Sequence, residues 1–520
     1  MNLAKTILLI ASTILFQFLL SYVSLSPQIG FDDANITQSY AQNIANGHGY
    51  VYNIGGERVE GSTSALWTLI NVFAFFTPNP ILVLHFISIS IVFCTLFLSA
   101  RISLDISGNR IAPLVTVIGF NFFPSYFGWG LFSLMDTHLF ILLITCSVYL
   151  LNSGRLASPS FRVLIIIFLL PLARPEGIVV AVGLYFVWVI IYRQRMQSMV
   201  SGISIIVSAL SSFTLITSLR LFYFGYPFPN TFYAKTSSDF WGQSYQGATY
   251  LWSWINNREN FSLLVLFALF IFASNFNSKR RDVFLYGCAV SLMLLGAILT
   301  YTFLGGDHFA GWRFYQFFIP LALSFIAAEF SRIPSTNGGG HVSLWAGLLS
   351  SVFIAVPCVN YLKGGGGSRI QFRIAEDQKV LAQRLSGIFN GELNVGVIPA
   401  GGFRMGYTGT VYDVLGLNWT TMAHAERATN ANVLKNHGGF VSEVFLATQP
   451  ELFMPAHRGC DRLDQDYTVN AFEDSITDGV TNTAEFNELY AAFCNENLSF
   501  FALRDLRDVV EEAGFVKLSR

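Results

Sequence analysis

Long apolar runs separated by short polar loops fill the first two thirds of the chain and then stop. Runs of near-spanning length lie at about 5–25, 80–100, 111–130, 136–152, 163–174, 177–192, 198–222, 262–276, 283–304, 314–331 and 342–360. A helix needs roughly 20 apolar residues to cross the hydrocarbon core. The run at 63–78 (TSALWTLINVFAFFTP) is too short for that, and it predicts an interfacial helix lying on the membrane. The first run is too long for a signal peptide and lacks a small-x-small cleavage site, so it reads as a retained anchor.

Leaving 63–78 out of the spans fixes the side on which every later loop falls. Lys5, Arg101, Arg110, Arg155, Arg162, Arg193, Arg195, Lys279, Arg280, Arg281 and Arg332 then share one side. The positive-inside rule makes that side cytoplasmic. The expectation is a polytopic α-helical membrane protein of about eleven transmembrane helices, N-terminus inside and C-terminus outside.

The pattern changes near Lys363. "KGGGGSR" (363–369) has the composition of a flexible linker, and beyond it charges become frequent and apolar runs short. Helical spacing at 376–389 and 503–513, with strand-like runs such as "LNVGVIPAGG" between, predicts a soluble α/β domain. The division is thus 1–362 for the membrane domain and 363–520 for an extracytoplasmic one. Cys460 and Cys494 are the two cysteines outside the spans; a disulfide in an oxidising compartment and two free buried thiols both stay open.

Composition agrees with a chain dissolved mainly in lipid. Of 520 residues, 53% are hydrophobic and 12% charged, against roughly a quarter charged in soluble domains. The net charge of -1 argues against nucleic acid as a partner. The six cysteines show no CxxC spacing, which argues against a metal knuckle.

On this topology the cytoplasmic loops hold almost only Arg and Lys, whereas the external ones mix carboxylates, cations and histidine. The first external loop carries Asp32, Asp33, Arg58 and Glu60, and "SLMDTHLF" adds Asp136 and His138. "LARPEG" adds Arg174 and Glu176, "YPFPNTFYAK" adds Asn230, Tyr233 and Lys235, and "GGDHFAGWRF" adds Asp307, His308 and Arg313. Any one of these can simply mark the water boundary, and that reading suits His138 best. Together they suit one chemistry. A carboxylate can take the proton of an acceptor hydroxyl, while several cations hold a phosphate and neutralise the charge it gains on leaving.

The Asp-Asp loop followed by "YAQNIANGHGYVYNIGGERVEGSTSALW" resembles the first external loop of GT-C membrane glycosyltransferases. More narrowly it is similar to the terminal β-(1→2) arabinofuranosyltransferase family of mycobacteria and its Gram-negative relatives. "LARPEG", "PNTFYAK", "GGDHFAGWRF" and "VYDVLGLNW" (411–419) extend the likeness over most of the chain. The resemblance implies a GT-C fold in a bacterial inner membrane, an external active site, and an inverting single displacement. The implied donor is a polyprenyl-phosphate sugar, with D-arabinofuranose expected. The acceptor would be a hydroxyl of a cell-envelope glycan, lipid or protein.

Residue by residue, the resemblance implies Asp32 as general base with Asp33 as its backup. It implies Lys235, His308, Arg313 and Arg58 at the donor phosphate, and Glu60, Asp136, Arg174, Glu176, Asn230, Tyr233 and Asp307 around substrate. Arg174 and Glu176 are equally readable as a structural ion pair. "SLMD" departs from the family's Gly-Leu-Glu, so Asp136 is a methylene short of the usual carboxylate. No cofactor is required by the pattern, although the paired aspartates could bind Mg or Mn through oxygen. The alternatives are a hexose or aminopentose transferase acting on lipid A or protein, and, in another class, a transporter of lipid-linked saccharides.

Overall fold

The computed structural model of the chain describes all residues other than 1–2, 154–158, 193–195, 237–238, 276–280, 333–354, 365–366, 427–438, 456–470 and 519–520. Its membrane part is a helical bundle. The helices are α1 (Leu3–Leu25), α2 (Asp32–Ala45), α3 (Ala65–Phe75), α4 (Pro80–Ser107), α5 (Ala112–Gly119), α6 (Pro124–Phe132), α7 (Thr137–Ser153), α8 (Phe161–Ala173), α9 (Gly177–Tyr192), α10 (Met196–Phe224), α11 (Asn230–Lys235), α12 (Phe240–Asn256), α13 (Arg258–Asn275), α14 (Arg281–Phe303) and α15 (Phe318–Phe330).

Among the described residues five helices are long and apolar enough to cross a bilayer: α1, α4, α10 (from Val200), α13 and α14 (from Val283). The run expected to span at 111–130 is instead broken. Pro124 opens α6 after an irregular Phe123, and α5 with its 3-10 extension meets α6 at 84°. Helices α7, α8, α9 and α15 are apolar but shorter than a full crossing. Among the described residues there are thus five helices of full spanning length and one bent pair, with the four shorter apolar helices beside them, so the expected eleven crossings are matched only in part. The segment expected to span at 342–360 falls largely outside the described residues, as do Arg155, Arg193, Arg195, Lys279 and Arg280; 355–364 is helical and forms α16.

The 63–78 run contains the 11-residue helix α3, capped by the Ser64 hydroxyl, which accepts from the Trp67 N–H at 3.2 Å. Eleven residues rise only about 16 Å, half the hydrocarbon thickness. Pro80 and the capping Asn79 side chain start α4, and Gly108 in the left-handed region ends it.

After α17 (Arg369–Phe389) comes a six-stranded mixed sheet: β1 (Val395–Val397), β2 (Val411–Asp413), β3 (Leu452–Met454), β4 (Tyr490–Cys494), β5 (Ser499–Leu503) and β6 (Val516–Lys517). The order is β2-β1-β3-β5-β4-β6, with β1 parallel to β2 and β3 and the other pairings antiparallel. Both faces are covered, as the all-buried patterns of β1, β3 and β4 require. Cys494 is disulfide-bonded, and Cys460 lies outside the described residues.

One face of that sheet is covered partly by the first loop of the membrane domain. Ile36, Tyr40, Tyr52 and Val59 share a core with Leu381, Val395, Phe403 and Phe500. Two segments of the soluble domain, α18 (Ala400–Gly406) after β1 and the turn after β2 leading to α19 (Thr420–His424), follow the carboxyl ends of parallel strands and reach the first loop. Such strand ends are where open α/β sheets place their functional loops.

Candidate active site

Asp32 and Asp33 form the first turn of α2, where exposed backbone N–H groups favour carboxylates. Their side chains part at once. Asp32 accepts the Gly402 N–H at 2.8 Å and the Gly401 N–H at 3.0 Å, from the start of α18. The approach demands glycine: a Cβ on Gly401 would run into the Asp32 backbone carbonyl, and one on Gly402 into that of Ala375. Burial pushes the Asp32 carboxyl up to about 6, although the two N–H donors pull the other way.

Asp33 instead lines a cavity of about 350 Å³ between α2, the α8–α9 turn, α11 and the segment after α14. Its charged lining is Asp33, Asp136, Arg174, Glu176, Lys235 and Arg313, and hydroxyls come from Thr37, Ser62, Thr63, Ser64, Thr231 and Thr236. Trp67, Tyr301, Phe228, Phe232 and Phe314 supply aromatic walls, and Leu417 of the soluble domain completes one side.

Within the cavity the cations are held differently. Arg174 donates to both oxygens of Asp136, at 3.0 and 3.2 Å, and to Glu176 at 3.3 Å. Burial opposes its charge, and the two carboxylates more than offset that. Its Nε and the Glu176 Oε2 are buried without a hydrogen-bond partner. A buried polar atom left unpaired costs about 1–3 kcal/mol. Arg313 is fixed by Asp307, at 2.7 Å from Nε and 3.2 Å from Nη2, and lies 4.6 Å from the Phe309 ring centroid and 5.0 Å from that of Phe314. Burial lowers the Lys235 ammonium below the ordinary lysine range, with Asp33 the chief charge acting to restore it. Beside the cavity a second, apolar hollow of about 210 Å³ runs between α9 and α14, and Glu176 and Tyr301 belong to both.

Several residues expected at the site stand elsewhere. Asp32 belongs to the junction with the soluble domain, because its oxygens are taken by α18. Glu60 is buried and paired through both oxygens with Arg220, at 2.7 and 2.9 Å. Burial raises its pKa and Arg220 opposes that rise. Arg58 is exposed, its guanidinium 4.8 Å from the Tyr223 ring centroid. Asn230 donates to the Gly416 and Leu417 carbonyls at 2.8 and 3.1 Å, pinning the turn that brings Leu417 to the cavity. Tyr233 packs on His424, and His308 lies against Phe309 with Asp307 beside it; neither lines the cavity. Asp307 acts on the cavity through Arg313. His138 is buried against Tyr126 inside the bundle.

Sequence reasoning missed Arg220, Asp413 and Asn418. Asp413, at the end of β2, accepts from the N–H groups of Leu415 and Asn418 at 3.1 and 3.0 Å and from the Asn418 amide at 2.8 Å. Asn418 in turn accepts from the Tyr40 hydroxyl at 3.0 Å, and that hydroxyl takes the Gly61 N–H at 3.0 Å. The hydroxyl run "GSTS" after Glu60 was a visible signal for the cavity wall. No three His, Cys, Asp or Glu side chains converge as a metal site among the described residues, and Asp32 and Asp33 do not converge on a shared point.

No protein-family model and no curated protein matches the chain. Solved structures do. Crystal structures of ArnT from Cupriavidus metallidurans, one bound to undecaprenyl phosphate and one in the apo state, superpose with TM-scores of 0.52 and 0.51. Each match is 11% identical in sequence and covers 77% of this chain and 85% of ArnT. At that identity the likeness establishes the fold alone: an ArnT-like architecture, a bundle of apolar helices carrying a small sheet-bearing domain.

Proposed function

We propose that this chain is a membrane-embedded inverting glycosyltransferase that moves a sugar from a polyprenyl phosphate to a hydroxyl of a cell-envelope acceptor. The observation that carries this reading is the placing of Asp33, Lys235 and Arg313 around one cavity. The ArnT structure bound to undecaprenyl phosphate adds that this fold can hold such a carrier.

In this mechanism Asp33, rather than Asp32, is the general base. It removes the proton of the acceptor hydroxyl as that oxygen bonds to the anomeric carbon, and the bond from that carbon to the phosphate oxygen breaks on the opposite face. Lys235 and Arg313 neutralise the departing phosphate. Arg174, Glu176 and Asp136 hold sugar hydroxyls, with the unpaired Arg174 Nε and Glu176 Oε2 as the open hydrogen-bonding positions. The apolar hollow between α9 and α14 takes the first isoprene units of the carrier, because it meets the cavity at Glu176 and Tyr301.

The motif resemblance points to D-arabinofuranose as the sugar and to an extracytoplasmic site in a bacterial inner membrane. No step calls for a metal: Asp32 is engaged by two N–H groups, and Asp33 has Lys235 as a charged neighbour. The test is transfer by purified protein from synthetic polyprenyl-phosphate arabinofuranose to candidate glycans. Wild type and Asp32→Asn should turn over and Asp33→Asn should not. Full turnover in Asp33→Asn would sink the proposal.

A further inference from the structure

The mouth of the cavity continues into a strip of aromatic rings built by both domains. Phe228 and Phe232 line the cavity, their centroids 4.8 Å apart. Phe232 meets Tyr233 at 5.5 Å. Tyr233 and Tyr226 both lie against the imidazole of His424, at 4.2 and 4.3 Å. The first four rings belong to α11 and the loop before it, and His424 ends α19 in the soluble domain. Tyr226, Phe228 and Phe232 keep 39, 37 and 40% of their surface exposed, and His424 is exposed too. Rings that only sealed a domain junction would be covered by it. The mechanism above uses none of them.

We propose that this strip is a ledge for an uncharged saccharide acceptor, whose sugar rings stack along Tyr226, Tyr233, His424 and Phe232 and whose terminal hydroxyl reaches Asp33. This rests on the glycosyl-transfer reading of the cavity. Sugar rings have apolar C–H faces and hydroxyl edges. Tyr and His match both, offering a flat face and a polar tip at little conformational cost. Continuity with the cavity places an acceptor bound here beside the base.

The charge pattern selects a neutral ligand. The phenylalanine rings carry none, and partial burial holds the His424 imidazole below its ordinary range. The charge acting on His424 is Glu57, a carboxylate that would repel a phosphorylated or acidic glycan. Lipid head groups are the other occupants to weigh, since Tyr and Trp gather at membrane interfaces. An aromatic stripe of that kind exists elsewhere: Trp241, Tyr245 and Trp252, four and seven residues apart, lie exposed along one side of α12. The ledge differs in sharing a ring with the soluble domain.

The test uses full-length protein in lipid nanodiscs, with polyprenyl-phosphate arabinofuranose as donor and a neutral arabinofuranosyl hexasaccharide as acceptor. Tyr226→Ala and His424→Ala should raise the acceptor KM about 10-fold or more and leave the donor KM within about twofold. Tyr226→Phe should restore most of the loss. Independently of turnover, saturating the protein's aromatic protons in Asp33→Asn should transfer signal to the hexasaccharide C–H protons, and Tyr226→Ala should abolish that transfer. The inference is overturned if acceptor KM does not move, if donor and acceptor KM rise together, or if the strip saturates lipid head groups and not the sugar. Loss of transfer in Asp33→Asn without sugar contact at the strip overturns this inference alone. Sugar contact there, with transfer retained in Asp33→Asn, leaves the ledge standing and sinks the reaction assignment.

Discussion

Asp32 and Asp33 are consecutive residues whose carboxylates serve different halves of the molecule: Asp32 binds the backbone of Gly401 and Gly402, and Asp33 opens on the cavity. The division separates their mutants. Asp33→Asn should lower the transfer rate by about 10²–10⁴, the usual worth of a general base, and keep the melting temperature. Asp32→Asn should lose stability, about 1–3 kcal/mol for one N–H left without its acceptor, with a smaller loss of rate. Single-turnover kinetics beside thermal unfolding of both variants distinguish the two outcomes.

Lys235 should bind the donor phosphate by charge. Lys235→Ala is expected to weaken donor binding by about 1.5–3 kcal/mol, the scale of a hydrogen bond to a charged group. Lys235→Arg should recover part of that, since the charge remains but its shape changes. Titrating the lipid-phosphate donor against each variant reads this directly.

Glu60 and Arg220 form a buried pair whose members should matter only together. Arg220→Ala leaves Glu60 charged and unpaired, and should cost about 3–5 kcal/mol. The double variant Glu60→Gln with Arg220→Met should recover much of that loss, measured as unfolding temperature in detergent. Recovery identifies the pair as structural and removes Glu60 from the substrate residues.

Asp413 gives the soluble domain a pH dependence with a definite sign. Burial pushes its carboxyl up to about 7 in the folded protein, whereas an unfolded aspartate titrates near ~3.9. The folded state therefore holds the proton more tightly. Its contribution is complete below the unfolded value and fades as pH rises through about 7. Wild-type stability should fall between pH ~4 and ~8 more steeply than that of Asp413→Asn. Equal slopes in the two proteins would contradict this.

What could be read from the sequence follows from the range of the signals. Apolar runs are local, so α1, α4, α10 and α14 were visible as spans, and the short run around α3 was visible as a helix below spanning length. The break at Pro124 was missed because hydropathy averages across it, although a proline starting a helix was in plain view. Lys235, Arg313, Asp136, Arg174 and Glu176 were legible as a set through their position at the ends of apolar runs. The choice between Asp32 and Asp33 was not, since it depends on Gly401 and Gly402, more than 360 residues away. The pairing of Glu60 was out of reach for the same reason: its partner Arg220 lies inside an apolar run, 160 residues on.

Leu417 gives that long-range dependence a mechanical side. One wall of the chamber is borrowed from the sheet-bearing lobe, which is held to the first loop by a shared apolar core and by the polar contacts of Asp32 and Asn230. The shape of the entrance and the seating of that lobe are then set together, so a substitution that loosens the shared core should also disturb the chamber.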